Sequence, residues 1–312
     1  MPPLRTSDDI VAKAQEFAKL TEPLLVAVPA AHDDDVIGAI QAATNAGFVR
    51  AILIGDEAKI THFCSELNVN LDHVEIIPSP DDASSAKLAC QLAKDGKVKL
   101  IMKGNLPTGK LLKILLAKEY GLRRGRILSH VAVLSMPHFP RLLGITDGGM
   151  VVAPDEKTRP QLVVNAIEVF HALGIEIPKV ALLAATDDVV PGVPITRELA
   201  AFAKACERGA MKHAIVDGPL AFDSAVWPAV TDKLPFASRV AGSADIVVVS
   251  AIEVANIVVK ALDILADAVF AGVIMGAKIP VALVSRSDTA RNKLTSLALA
   301  TLVAASNSRR QS

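Results

Sequence analysis

The sequence has few aromatic residues and few cysteines. Aromatic residues make up only 4% of its 312 positions, and the three cysteines are Cys64, Cys90 and Cys206. An odd number of widely spaced cysteines provides neither a disulfide framework nor a zinc-binding pattern, and the histidines show no ligand spacing. The sequence therefore predicts a cytoplasmic protein in a reducing environment, without a metal site.

A surplus of one charge and long apolar stretches are also absent. Lys and Arg together number 33, as do Asp and Glu, so the formal net charge is +0. A dedicated nucleic-acid-binding protein needs a basic surplus. Uncharged stretches such as 294–308 stay below the roughly 18 residues of a membrane span. The amino-terminal segment becomes charged before any apolar core appears. We expect no nucleic-acid partner, no membrane span and no signal peptide.

Hydrophobic residues are abundant, at 51% of the chain, which excludes a disordered protein. Short runs rich in Val and Ile alternate with longer amphipathic segments, as in an α/β fold with parallel strands covered on both faces. Strands are predicted near 23–30, 50–55, 74–78, 98–103, 127–135, 179–185, 213–217, 245–250 and 279–285. Helices are predicted near 35–46, 158–173, 196–208, 253–269 and 289–304. The prolines and glycines of 135–160 indicate a domain boundary.

The segment from Gly104 to Lys110 follows a predicted strand and opens a helix. It has the G-x-x-x-x-G-K spacing of a phosphate-binding loop. Leu111 stands where such a loop needs Ser or Thr for magnesium, and Pro107 removes one backbone amide. We therefore expect a helix start that binds phosphate between Lys103 and Lys110 rather than a nucleotide-binding P-loop. The alternative is an ordinary helix start capped by Thr108.

A second polar turn, 285–289, follows the last predicted strand. Ser285 and Arg286 offer donors suited to a phosphate or a developing oxyanion, and Asp288 is the only carboxylate in this turn. Ordinary helix capping by Ser287 or Asp288 explains the pattern equally well.

The remaining polar turns admit structural interpretations. These turns are Thr146-Asp147-Gly148-Gly149 and Asp217-Gly218-Pro219, and His130 is the one histidine near a candidate loop. The carboxylates of 33–35 directly precede a helix, which favours N-capping and helix-dipole interactions over a metal site.

Together these segments resemble the phosphate acetyl/butyryltransferase family, and in particular its shorter butyryltransferase-like branch. The resemblance covers nearly the whole chain in the family's order. It is carried by Met102-Lys103-Gly104 with Thr108, Leu128-Ser129-His130-Val131, 143–149, Asn165, 173–183, 217–223, 241–246, Asn256 with Lys260, and Ser285-Arg286-Ser287-Asp288.

The resemblance implies two α/β domains of the isocitrate and isopropylmalate dehydrogenase type, with an active cleft between them and a homodimeric assembly. The implied bounds are 1–142 with 289–312 for the first domain and 143–288 for the second. The implied reaction is reversible transfer of a short acyl group between CoA and inorganic phosphate, by thiolate attack on the acyl phosphate. CoA is then a substrate, and no cofactor or metal is expected.

The resemblance also assigns roles to individual residues. Arg286 would hold phosphate, Ser285 would donate to the oxyanion, and a nearby carboxylate, here Asp288, would be the proton acceptor. Substrate contacts are implied for Lys103, Gly104, Thr108, Lys110, Ser129, Asp147 and Asn256.

The sequence departs from the family pattern at two places. Lys110 begins a helix where acetyltransferase members carry arginine, and lysine cannot bind phosphate bidentately. Arg291, Asn292 and Lys293 stand where a family carboxylate is expected, so Asp288 is assigned as base by proximity. A non-catalytic homologue that binds CoA or phosphate is therefore the first alternative function. A P-loop-like nucleotide-binding protein is the second, and only the segment from Gly104 to Lys110 favours it.

Overall fold

A computed structural model describes residues 4–232, 234–284 and 288–311, with side chains described as far as residue 309. The helices are α1 (Ser7–Leu20), α2 (Asp34–Asn45), α3 (Glu57–Glu66), α4 (Asp82–Lys94), α5 (Thr108–Leu115), α6 (Arg159–Ala172), α7 (Ile195–Ala205), α8 (Phe222–Val226), α9 (Pro228–Thr231), α10 (Ile252–Leu265) and α11 (Ala290–Gln311). The strands are β1 (Leu24–Pro29), β2 (Val49–Gly55), β3 (Val74–Pro78), β4 (Leu100–Met102), β5 (Ser129–Ser135), β6 (Leu143–Thr146), β7 (Lys179–Leu183), β8 (Ile215–Leu220), β9 (Ile246–Val248), β10 (Val269–Met275) and β11 (Val281–Ala282).

The chain divides into two compact units. The terminal unit comprises Ser7–Arg126 and the residues from Ala271 onward, and the middle unit comprises Ile127–Phe270. The bounds that the family resemblance implied lie after 142 and after 288. Residues 129–135 belong to the middle unit because β5 pairs antiparallel with β6. Residues 281–282 belong to the terminal unit because β11 pairs parallel with β4.

The terminal unit has the strand order β3-β2-β1-β4-β11-β10, parallel except that β10 runs antiparallel to β11. Its central strands are buried almost throughout, as expected for parallel strands covered by helices. The long helix α11 packs against α1 and α2. The last helix therefore returns to the first part of the chain, as the family resemblance implied.

The middle unit has the order β5-β6-β9-β7-β8, in which all neighbouring pairs except β5 and β6 are parallel. One core cluster joins inward-facing residues of these strands to the inner face of α10, through Ala255 and Val259. Lys179 N donates to the Asp245 carboxylate at 2.8 Å, which ties the start of β7 to the turn before β9.

The α/β prediction is confirmed, while two strands went unpredicted. β10 lies directly after the helix predicted over 253–269, and α10 ends earlier, at Leu265. A continuous apolar run does not by itself distinguish a buried strand from a buried helix. β6 precedes the polar turn at 146–149, and the sequence predicted the turn but not the strand. Among the described helices, none combines the length and apolar character needed to cross a bilayer.

Candidate functional site

Lys103 follows β4 directly and is held in place by its own loop. Its backbone N donates to Ala282 O at 3.1 Å, which continues the pairing of β4 with β11. Its Nζ donates to Gly104 O at 3.0 Å and to Leu106 O at 3.4 Å. The ammonium group therefore lies at the carboxyl end of a parallel strand, which is where open α/β sheets bind their ligands.

Gly104 lets this loop approach the end of β1. A Cβ at this position would lie 2.2 Å from Pro29 O and 2.5 Å from Ala30 O, with backbone rather than a flexible side chain in the way. Asn105 N donates to Ala30 O at 2.8 Å and fixes the approach. The glycine is therefore required by backbone packing, which the motif spacing alone did not reveal.

The helix that follows the loop is not capped by Thr108, the residue that the alternative interpretation named. α5 begins at Thr108 itself, and the residue before it is Pro107, which has no side chain that can cap. The amides of Lys110 and Leu111 donate to Pro107 O. Capping by Thr108 is therefore wrong. Leu111 is 0% exposed and packs in the core, which argues against a magnesium-binding P-loop.

A small depression brings Lys103 and Gly104 together with Lys293. It is also lined by Val284 and Asp35 and encloses about 20 Å³, room for one water-sized group such as a single phosphate oxygen. Lys293 is 3% exposed, and its Nζ lies 2.7 Å from Asp35 Oδ1. Sequence reasoning missed Lys293 as a site residue and recorded it only as a departure from the family pattern.

The charges of this depression balance in the part of the chain that the structure describes. Lys103 and Lys293 face Asp33 and Asp35. Arg286, together with Ser285 and Ser287, lies outside the described residues. The described residues of this depression therefore carry no surplus of positive charge.

The acidic run 33–35 serves the start of α2. Asp33 caps the helix by accepting from Val36 N at 3.2 Å, Asp34 accepts from Asp35 N, and Asp35 pairs with Lys293. The three carboxylates lie within 4.8 Å of one another. The capping by Asp33 is as the sequence predicted, whereas the ion pair of Asp35 with Lys293 was not predicted.

The last predicted site residue in the terminal unit is Asp288. It is buried and lies just before α11. The first turn of that helix is ordered by Thr289, whose hydroxyl accepts from Asn292 N at 3.1 Å. Thr108 and Lys110 lie on the first turn of α5, where Lys110 is exposed.

In the middle unit, Asp147 organises the turn after β6. Its Oδ1 accepts from Gly149 N and from Met150 N, both at 2.7 Å, and its Oδ2 accepts from His130 N at 2.9 Å. Such a buried carboxylate is stabilised by charge-assisted bonds from backbone amides. Asp147 therefore positions the 147–150 loop against β5, and the substrate contact that the family resemblance implied for it stays a prediction.

Ser129 is likewise a buried structural residue. Its hydroxyl accepts from Asn165 Nδ2 at 2.8 Å, and the same amide nitrogen donates to Ile127 O at 3.1 Å. Both side chains are fully buried. These bonds attach α6 to the start of β5 and explain why the sequence pairs these two residue types, without exposing Ser129 to a ligand.

Asn256 is the exposed member of the predicted set in this unit. The first turn of α10 carries it, and that turn packs closely on the 147–150 loop. A Cβ added at Gly148 would lie 3.2 Å from Ala255 Cβ and 3.7 Å from Asn256 N. The structure therefore brings Asn256 beside Asp147 and its loop.

His130 lies in β5 and connects that strand to the 147–150 loop, since its backbone N donates to Asp147. It is 9% exposed, and its Nδ1 has no hydrogen-bond partner among the described residues. Burial lowers the pKa of His130, and the nearby charge of Asp147 partly opposes that shift. The imidazole is therefore neutral at physiological pH. It lies close to the 147–150 loop, because a Cβ added at Gly149 would be 3.4 Å from His130 Cγ.

The lowered pKa of His130 predicts how stability depends on pH. Below its ordinary pKa of 6.5, the unfolded chain takes up a proton that the folded protein excludes. The free energy of unfolding should therefore fall as the pH drops below 6.5, towards the folded-state pKa. Urea unfolding at a series of pH values would measure this fall. His130→Gln should reduce it, whereas His62→Gln, at an exposed site, should not. An equally steep fall in both variants would assign it to other groups.

The three cysteines are free and buried. Burial raises the pKa of Cys90 to about 12 and that of Cys206 to about 11, and it also raises the pKa of Cys64. Because the thiolate is the reactive form, these thiols are unreactive at neutral pH. No cysteine of this chain is thus suited to act as a covalent nucleophile.

Comparison with known proteins adds the decisive observation. Residues 82–301 match the family model described as "Phosphate acetyl/butaryl transferase". The chain belongs to this family of acyltransferases. The resemblance drawn from the sequence motifs is therefore confirmed, and the enzyme class with it.

Individual relatives are similar over almost their full lengths. A probable phosphate butyryltransferase of Bacillus subtilis is 41% identical over 94% of this chain and 96% of the relative. A phosphate acetyltransferase of Thermotoga maritima is 39% identical over 89% of this chain and 95% of the relative. The crystal structure of a branched-chain phosphotransacylase from Enterococcus faecalis is 30% identical, with a TM-score of 0.80 over 90% of this chain and 99% of that one.

Proposed function

We propose that this enzyme reversibly transfers a short-chain acyl group between CoA and inorganic phosphate. The observation that carries the proposal is Lys103, held by its own loop at the carboxyl end of β4, in a chain of this family. An ammonium group beside an open helix start is suited to bind phosphate or acyl phosphate.

The proposed reaction follows from the chemistry of thioesters. In the direction of acyl-CoA synthesis, the CoA thiol gives its proton to a base, and the thiolate sulfur forms a bond to the acyl carbon. The bond from that carbon to the phosphate oxygen breaks, and inorganic phosphate leaves with its electron pair. The reverse direction consumes acyl-CoA and phosphate. No metal, cofactor or acyl-enzyme is required by this sequence of steps.

Each proposed residue acts on charge that develops during the reaction. Arg286 holds the phosphate, and Ser285 donates to the carbonyl oxygen as it becomes negative. The loop after β4 and the start of α5 provide three further groups that bind phosphate oxygens: Lys103, Thr108 and Lys110. Lys293 supports this arrangement through its ion pair with Asp35.

Free-thiol release tests the proposal directly. Purified enzyme is incubated with acetyl-CoA or butyryl-CoA, with and without phosphate and with chelator present. We expect thiol release that depends on phosphate, and the ratio of the two rates identifies the preferred acyl group. Relatives named for both acyl groups have similar identities to this chain, so the assay includes both substrates.

The alternative is a homologue that binds CoA or phosphate without turnover. It is favoured by Asn292 and Lys293, which stand where the family resemblance expects a carboxylate, and by the use of Lys293 in an ion pair. CoA binding without thiol release from either substrate would establish this alternative and overturn the transferase proposal.

Asp288 is the proposed proton acceptor for the CoA thiol. A general base acts only when deprotonated, so the rate of acyl-CoA synthesis from acyl phosphate should fall at acid pH in the native enzyme. Asp288→Asn should lower the rate and flatten this acidic limb. Glu57→Gln, at an exposed site on α3, serves as the control and should keep the native profile. An unchanged profile in Asp288→Asn would assign the base elsewhere.

We also propose that the enzyme acts in the cytoplasm as a homodimer. Three free cysteines are typical of a reducing compartment. For the dimer, α10 exposes an apolar face that includes Ile257, at 66% exposure, and Ile264, at 72%. Two further exposed apolar side chains lie at the ends of this helix, Val152 beside its first residue and Leu265 at its last.

Charged substitutions on α10 test the dimer. Light scattering after gel filtration should give the mass of two chains for the native protein. Ile257→Asp with Ile264→Asp should give the mass of one, because desolvating two carboxylates opposes association. Leu20→Asp with Leu71→Asp, at exposed positions of the terminal unit, is the matched control and should remain dimeric. A dimer that survives the α10 substitutions would place the interface elsewhere.

A further inference from the structure

A depression of about 350 Å³ opens at the amino ends of β4 and β11 in the terminal unit. Val98 and Lys99 lead into β4, and Ile279 and Pro280 lead into β11. Lys103 follows the opposite end of β4, so this depression is separate from the candidate site. Its volume lies in the range of small-molecule binding sites.

The charges of this depression are of one sign. Lys94, Lys99 and Lys278 line it, and its described lining includes no Asp or Glu. None of these three lysines forms an ion pair with a described carboxylate, whereas Lys260 and Lys293 elsewhere do. Three ammonium groups around one concave surface repel each other, and an anion bound among them would relieve that repulsion.

The rest of the lining is part polar and part apolar. Asn307 offers a side-chain amide from the last turns of α11, while Leu122 and Ala304 contribute apolar surface. The ring of Tyr120 forms a further wall. Burial, together with a hydrogen bond to the Glu119 side chain, raises the pKa of Tyr120, so the phenol stays neutral. A ligand with both charged oxygens and an organic portion would fit this combination.

We propose that this lysine-lined depression binds a small organic anion carrying at least two negative charges. Lysine ammonium groups bind carboxylate and phosphate oxygens by charge-assisted hydrogen bonds, and the apolar wall covers the organic part. A phosphate monoester and a polycarboxylate share this chemistry, and the experiment below distinguishes them.

β4, β11 and α11 each run from this depression to the candidate site at the other end of β4. The segment from Lys99 to Lys103 spans about 13 Å at the rise of an extended strand. β11 runs beside it, with Ile101 N donating to Pro280 O and Lys103 N to Ala282 O. α11 carries Lys293 in its first turns and Asn307 and Ser308 in its last turns. An anion that orders one end is thus placed to influence the other. This regulatory effect rests on the proposed function, whereas the binding itself does not.

The chain offers a local probe for binding, because Tyr120 is its only tyrosine. Incorporating 3-fluorotyrosine gives one fluorine NMR signal in the wall of the depression. We expect AMP or citrate, titrated at constant ionic strength, to shift this signal saturably, and adenosine to leave it unmoved. AMP tests the phosphate monoester and citrate the polycarboxylate. A shift from neither probe at millimolar concentration would overturn the proposal.

Paired variants test which lysines are responsible. Lys99→Gln with Lys278→Gln should weaken the binding of the active probe by about tenfold or more, because two charge-assisted contacts are lost. Lys97→Gln is the control, since Lys97 is exposed in the same loop but does not line the depression. Equal weakening in the control, or none in the double variant, would refute this site. The fluorine signal needs no substrate, so failure of acyl transfer would leave this test interpretable.

Discussion

Lys103→Met is expected to lower kcat/KM for phosphate by about 10²–10³-fold, the usual effect of removing one pre-positioned donor from developing negative charge. Methionine keeps the length of the side chain but neither donates nor carries charge. The Nζ of Lys103 is held by Gly104 O and Leu106 O, so its position is fixed before substrate arrives. Little of the binding energy is then spent on ordering the side chain.

The measurement is steady-state kinetics of phosphate-dependent thiol release. Lys113→Met is the matched control, because Lys113 is exposed on the same helix that follows the loop and should leave kcat/KM near the native value. Urea unfolding of both variants would show whether the loop remains folded. A folded Lys103→Met enzyme with native kinetics would remove Lys103 from the reaction.

Gly104→Ala is expected to destabilise the protein by about 3 kcal/mol or more, as for other forced steric overlaps in a packed interior. The added Cβ would lie 2.2 Å from Pro29 O, and backbone cannot move aside without shifting β1. Because the same shift would displace Lys103, activity should fall together with stability.

Gly109→Ala provides the control within the same loop and helix. Nothing lies within 4 Å of a Cβ at Gly109, and the residue lies inside α5. Alanine there should stabilise the protein by up to about 1 kcal/mol, since glycine loses more backbone entropy in a helix. Urea unfolding measures both changes. Similar stability in the two variants would contradict the close approach of the loop to β1.

Local sequence patterns predicted most of the fold. The strands β1, β2 and β3 and the helices α2 and α6 lie within a few residues of the predicted ranges. Each has a clear apolar period and a polar or glycine boundary, such as Asp33 before α2. The antiparallel strands β6 and β10 were missed because their short apolar runs adjoin a turn and a helix, where periodicity is ambiguous.

The candidate site was predicted only in part. The motifs identified the family, which the comparisons then confirmed, and they proposed the Lys103 loop as part of the site. They did not distinguish a residue that faces a ligand from one that holds the loop in place. Ser129 and Asp147 carry the right residue types, but their polar atoms bond to Asn165 and to backbone amides.

The sequence by itself determined the α/β class and membership of the family, and it singled out the 104–110 segment as the candidate phosphate-binding loop. These depend on residues close together in the chain or on motif order. Tertiary structure alone decided that Lys293 joins Asp35 beside Lys103, that β11 pairs with β4, and that three lysines surround one depression. Each of these joins residues far apart in the chain, and no local period encodes which distant segments will become neighbours.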